Sequence, residues 1–120
     1  MKVMIVDDSA AMRMIVKRTL RQAGFSGLTI SEAGDGTEAL EQMDSVDPDL
    51  VLCDWNMPQM NGIDVLKQLR EDGSSVKFGF VTTESTKEMR ATAREAGAQF
   101  LISKPFTPES FEKTLGPILG

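Results

Sequence analysis

Five times along this chain a short apolar run breaks off and a stretch of helical periodicity follows, and that alternation limits the fold more than any other feature. The runs are Lys2 to Val6, Leu28 to Ala33, Leu50 to Cys53, Val76 to Val81 and Gln99 to Ile102. Between them, apolar residues recur at three- and four-residue spacing, the mark of helices with one buried face. Helices are expected from Ala10 to about Ala23, from Thr37 to about Ser45, after Met60-Asn61-Gly62, from Lys87 to Ala96, and from Thr107 to about Leu115. In the first, Met12, Ile15, Val16, Thr19, Leu20 and Ala23 form the expected inner face, with Asp8 or Ser9 as cap and Gly24 as stop. The fourth is short of large apolar residues and is expected to be the least firmly packed.

Strands separated by helices require crossover connections, which are right-handed and give a parallel sheet covered on both faces. Five such units favour a flavodoxin-like α/β fold, a doubly wound (βα)5 sheet of strand order 2-1-3-4-5, with residues 1–120 as one domain. The run Val51-Leu52-Cys53 shows no polar alternation, as suits a strand buried on both faces. It ends on Asp54, and Pro58 bars its continuation as a central strand. Asp54 therefore belongs at the carboxyl edge of the sheet, where open α/β folds bind their ligands.

The other strands end in the same way: Asp7 and Asp8 after the first, Thr82 after the fourth, Lys104 after the fifth. Two carboxylates about 5 Å apart repel by roughly 3 kcal/mol at an effective dielectric near 20. One lysine does not offset three acids, but Mg²⁺ accepts such oxygen donors and brings the local formal charge to zero. Lys104 lies two strands from Asp54, about 10 Å by ladder spacing. A long flexible side chain spans that gap. A carboxylate between Mg²⁺ and an ammonium is placed to attack phosphorus, with Thr82 in reach of a phosphoryl oxygen.

Composition removes the main competitors. The formal charge of -5 argues against nucleic acid as a direct partner. With no histidine in the chain, His–metal sites and Ser-His-Asp triads are excluded. No apolar run approaches the roughly 20 residues of a membrane span, and no signal pattern precedes the first strand. The lone cysteine, Cys53, forms no internal disulfide and fits a reducing cytoplasm.

Asp7-Asp8, Asp54-Trp55-Asn56-Met57-Pro58, Thr82 and Lys104-Pro105-Phe106, in that order and each at a strand end, resemble the response-regulator receiver family across essentially the whole chain. The run after Asp54 is most similar to the stand-alone chemotaxis type. The resemblance implies that Asp54 accepts a phosphoryl group from the phosphohistidine of a histidine kinase. It implies Mg²⁺ held by Asp8, Asp54 and the backbone carbonyl of Asn56, with Asp7 acting through water. It further implies that Lys104 and Thr82 contact the phosphoryl oxygens, that Lys104-Pro105 is cis, and that Asn56 and Glu84 tune phosphoryl loss. One position departs from the family. Leu101 stands where an aromatic ring or histidine is usual, so the resemblance does not by itself imply aromatic-coupled switching in this chain. Phe100 is no substitute, because strand alternation points it to the opposite face.

Several of these residues also have plainer readings. Asp7-Asp8-Ser9 alone reads as a helix N-terminus, where acids favour the dipole. Lys104 alone reads as a surface lysine and Thr82 as a strand end. It is their combination that points to a site. Trp55 is either a core aromatic or a partly exposed neighbour of that site. Lys87, Arg90 and Arg94 lie at helical spacing and read first as a solvated face balanced by Glu88 and Glu95. The sharper alternative is a docking surface for a downstream target near the fourth helix and fifth strand.

The leading expectation is a cytoplasmic, monomeric phosphorylation switch that signals by protein binding. The alternatives are a relay or kinase-regulating receiver outside chemotaxis, and a Mg²⁺-dependent aspartyl-phosphate hydrolase. Such a hydrolase wants a second acid where Asn56 stands. A flavin carrier on the same fold wants a phosphate cradle where Asp7-Asp8 stands.

Overall fold

The computed structural model describes residues 1–119. Its elements run β1 (Lys2–Val6), α1 (Ala10–Gln22), β2 (Thr29–Ala33), α2 (Gly36–Val46), β3 (Leu50–Cys53), α3 (Gly62–Glu71), β4 (Lys77–Thr82), α4 (Lys87–Glu95), β5 (Phe100–Ser103) and α5 (Pro108–Leu119). All neighbouring strands pair in parallel, in the order β2-β1-β3-β4-β5 expected from the sequence.

Strand alternation sorts the apolar residues into two cores. Met4, Val6, Val51, Cys53, Phe78 and Phe80 face one side and pack against α2, α3 and α4. Val3, Ile5, Leu50, Leu52, Val81 and Ile102 face the other and pack against Val16 and Leu20 of α1 and Phe111 and Leu115 of α5. Each fully buried side chain of this size contributes roughly 1.5–3 kcal/mol. Leu101 and Phe100 fall on opposite faces, as alternation requires.

The helix starts are chemically explicit. The side chains of Ser9, Asp35, Asn61 and Thr86 accept from Met12 N, Glu38 N, Asp64 N and Met89 N, so each caps its helix. Of the two candidates for the α1 cap, Ser9 takes the role. At α5, Thr107 Oγ1 accepts from Ser110 N and Ser110 Oγ accepts from Thr107 N, a reciprocal capping pair.

Several details differ from the sequence reading, most element bounds by no more than one residue. Ile15 is 42% exposed, because at about 100° per residue it lies at the margin of the stripe formed by Val16, Thr19 and Leu20. β4 begins one residue later than expected and ends on Thr82, and β5 is displaced forward by one residue to end on Ser103. α5 runs on to Leu119 through Pro117, where Ile118 and Leu119 find apolar surface to cover. As expected, α4 is lightly anchored: Ala93 is its only buried residue.

Candidate functional site

Every strand of the parallel sheet points its carboxyl end to the same edge, and β1, β3 and β5 deliver their charged residues there. The chain leaves β1 with Asp7 N donating to Ala33 O at 3.1 Å, and leaves β3 with Asp54 N donating to Val6 O at 2.9 Å. These bonds extend the ladder by one residue and fix both carboxylates where the sheet stops. Lys104 N donates to Thr82 O at 2.7 Å, which ties the end of β5 to the end of β4. Thr82 is fully buried, and its Oγ1 accepts from Glu84 N at 3.4 Å. The Lys104–Pro105 peptide is cis.

Lys104 spans the gap that strand spacing sets. Its Nζ lies 3.1 Å from Asp7 Oδ2 and 3.5 Å from Asp54 Oδ2. All three side chains are largely shielded, at 11%, 6% and 13% exposure for Lys104, Asp7 and Asp54. Asp7 Oδ1 accepts from Ser9 N at 2.9 Å, and Asp54 Oδ1 accepts from Trp55 N at 2.7 Å. Asp8 is exposed at the rim, and one oxygen from each of Asp7, Asp8 and Asp54 lies within 4.8 Å of the others.

Burial pushes the Asp54 carboxyl above its ordinary value; Lys104 opposes the shift, Asp7 adds to it, and the Trp55 N–H opposes it. Cys53, beneath Asp54, is held as a neutral thiol by full burial and by the neighbouring Asp54 and Asp7 charges. Its Sγ donates to the Asp54 carbonyl at 3.2 Å. The Asp54 carboxylate is thus partly open at this edge, while the sulfur under it is enclosed and protonated.

Hard oxygen donors suit a hard divalent cation, and three carboxylates with one ammonium leave an uncompensated negative charge. Both facts fit Mg²⁺.

The remaining candidates frame this centre. Trp55 is half-buried, with its ring 4.7 Å from that of Phe80. Asn56 and Glu84 are exposed on the loops after β3 and β4, and Pro105 is exposed after β5. Leu101 is half-buried against the α2–α4 core, beneath the edge.

Two residues of this edge escaped the sequence reading. Arg13 donates through Nη1 to Asp7 O at 2.6 Å and through Nε to Glu32 at 3.0 Å, bracing the β1–α1 turn from outside. Gly62 lies against the β3–α3 loop: its N–H donates to Trp55 O at 2.7 Å, and a Cβ there would run into the Asp54 carbonyl oxygen. The only sequence cue was a glycine at a helix start, where a side chain is normally tolerated.

Arg90 of the basic stripe is exposed, yet its head group is engaged with β5. Its guanidinium donates to Leu101 O at 3.4 Å and to Ser103 Oγ at 3.2 Å, gripping the outer edge of β5.

Residues 3–115 match the family model described as the response regulator receiver domain. The chain belongs to the response regulator receiver family. This receiver domain is 41% identical to the chemotaxis protein CheY1 of Helicobacter pylori, over all of this chain and 98% of that one. It is 42% identical to the chemotaxis protein CheY-3 of Vibrio cholerae, over 98% of this chain and 91% of the relative. Among solved structures it superposes on the Vibrio cholerae chemotaxis protein CheY4 with a TM-score of 0.86 at 35% identity, covering 98% of each chain. A CheY-like receiver domain from Methanospirillum hungatei gives a TM-score of 0.85 at 26% identity, over 98% of this chain and 92% of that one. This receiver is thus of the CheY type, a signalling domain, and its fold is that of the CheY structures.

Proposed function

We propose that residues 1–120 form a single cytoplasmic, monomeric receiver that accepts a phosphoryl group on Asp54 from a histidine kinase, in a Mg²⁺-dependent reaction of a chemotaxis pathway. The observation that carries this reading is the placement of Lys104 Nζ between Asp7 and Asp54, with Asp8 completing the acidic cluster. The match to CheY1 and CheY4 over nearly their whole lengths supports the chemotaxis assignment.

In the transfer, an Asp54 carboxylate oxygen bonds to phosphorus, the donor's P–N bond breaks, and the imidazole leaves with that electron pair. Asp54 and Asp8, with the Asn56 carbonyl, would hold Mg²⁺, and Asp7 would act through water. When bound, the ion supplies positive charge to the transferring oxygens. Lys104 supplies the second positive charge and exchanges its contact with Asp54 Oδ2 for a phosphoryl oxygen. The Thr82 hydroxyl, at the end of the adjoining strand, offers a hydrogen bond to another. The Trp55 N–H holds Asp54 Oδ1, which keeps the carboxylate oriented. Asn56 and Glu84 border the opening and adjust water's access to the acyl phosphate.

Lys104 follows Ser103 directly, and Ser103 is held by Arg90. Movement of Lys104 towards a phosphoryl group therefore pulls on the β5 edge and on the weakly anchored α4. The downstream target docks near α4 and β5, and phosphorylation shifts the balance between two arrangements of that surface. With Leu101 in the usual aromatic place, the Arg90 grip on β5 takes over part of the coupling.

Incubation with a histidine kinase carrying labelled phosphohistidine tests the reading. Label is expected on the wild type and none on Asp54→Asn. Transfer to the variant at the wild-type rate would move the acceptor elsewhere.

A further inference from the structure

α1 is the most one-sided element of this acidic chain. It holds four of the thirteen basic residues, Arg13, Lys17, Arg18 and Arg21, and none of the eighteen acids. Three- and four-residue spacing places Met14, Lys17, Arg18 and Arg21 on one outward face. Glu32 pairs with Arg13 at 3.0 Å and with Lys17 at 2.9 Å. Among the described residues, Arg18 and Arg21 have no acid within salt-bridge distance, and both are exposed.

The same corner leaves apolar surface open. Met14 and Ile15, two of the three exposed large hydrophobics among the described residues, stand on α1 at 57% and 42% exposure. Beside Met14 runs a groove of about 430 Å³ between the end of α1, the following loop and the start of β2. Leu20, Phe25, Leu28 and Ile30 give it an apolar lining, Lys17 and Arg21 stand on its rim, and no carboxylate lines it. The groove lies at the amino-terminal end of edge strand β2, away from the carboxyl edge that bears Asp54 and on the far side of the sheet from β5.

An apolar trough with the unpaired Arg21 on its rim and Arg18 one helical turn away, on a molecule of net charge -5, is complementary to one chemical type of partner. We propose that the α1–β2 groove docks an acidic peptide segment of a partner protein. A large apolar side chain of the segment fills the trough, and its carboxylates pair with Arg18 and Arg21. This surface is separate from the proposed α4–β5 surface, so a kinase or target is engaged at one while the other stays free.

Fluorescence anisotropy with short labelled peptides tests this, each carrying a Leu-Phe anchor flanked either by Asp and Glu or by Asn and Gln. The acidic peptide is expected to bind about tenfold or more tightly than its amide counterpart, with affinity falling as salt is raised. The double variant Arg18→Glu, Arg21→Glu should lose about tenfold or more, while Arg90→Glu and Asp54→Asn leave binding unchanged. Retention in Asp54→Asn keeps the result independent of the phosphorylation reading. No binding of the acidic peptide, equal binding of both peptides, or indifference to the double reversal overturns the proposal. Binding to phosphatidylglycerol vesicles without binding to the peptide also overturns it, in favour of a membrane surface.

Discussion

At the scale of single residues, the behaviour of the site follows from Asp54 being a carboxylate the fold does not wish to ionise. Burial and the nearby Asp7 hold its pKa above the ordinary value, against the pull of Lys104. Without divalent cations the folded chain therefore binds this proton more tightly than the unfolded chain. The stability contributed by Asp54 is complete below the unfolded value of about 3.9 and is lost as pH rises through the raised folded value. Asp54→Asn removes that loss. In chelator at neutral pH the variant is expected to unfold at higher urea than the wild type, with the difference closing towards acid. A variant less stable than wild type at pH 7 would mean that Lys104 outweighs burial. Gly62→Ala gives a second check, because its Cβ meets the Asp54 carbonyl. Its rate of phosphorylation by a small phosphodonor is expected to fall about tenfold or more, since displacing a reacting group even slightly is costly. An unchanged rate would show that the loop gives way harmlessly.

At the scale of elements, β4 and β5 are locked by a complementary pair. Gly79 and Phe100 face each other in register, and a Cβ on Gly79 would occupy the space of the Phe100 ring. Gly79→Ala is expected to cost about 1–3 kcal/mol by overpacking, seen as a lower urea midpoint at unchanged slope. Adding Phe100→Leu should recover part of that loss, and additive effects would refute the pairing. This contact also shows what sequence reading reaches. Val51 to Cys53 announced a buried strand because no polar residue interrupts it, and the strand-end acids and Lys104 announced the site because they recur at one edge. Gly79 announced nothing, because its reason is a ring 21 positions away. Arg13 was equally silent, since its acceptor is a backbone carbonyl that only the β1–α1 turn exposes. The end of α5, expected near Leu115, fell short for a related reason: apolar surface under Ile118 and Leu119 keeps the helix going through Pro117.

At the scale of the whole molecule, two cores hold a sheet whose carboxyl edge concentrates negative charge, and a cation that relieves that charge should stabilise the fold. At a concentration 100 times its dissociation constant, Mg²⁺ is expected to add about 2.7 kcal/mol to unfolding, and less in Asp8→Asn. A melting temperature indifferent to Mg²⁺ would contradict the cation site. The most direct measurement of the central claim is the intact mass of the protein after incubation with a small phosphodonor, with Mg²⁺ and with chelator. A gain of one phosphoryl group is expected in the wild type with Mg²⁺, and essentially none with chelator or in Asp54→Asn. A gain that persists in Asp54→Asn, or that ignores the chelator, would contradict it.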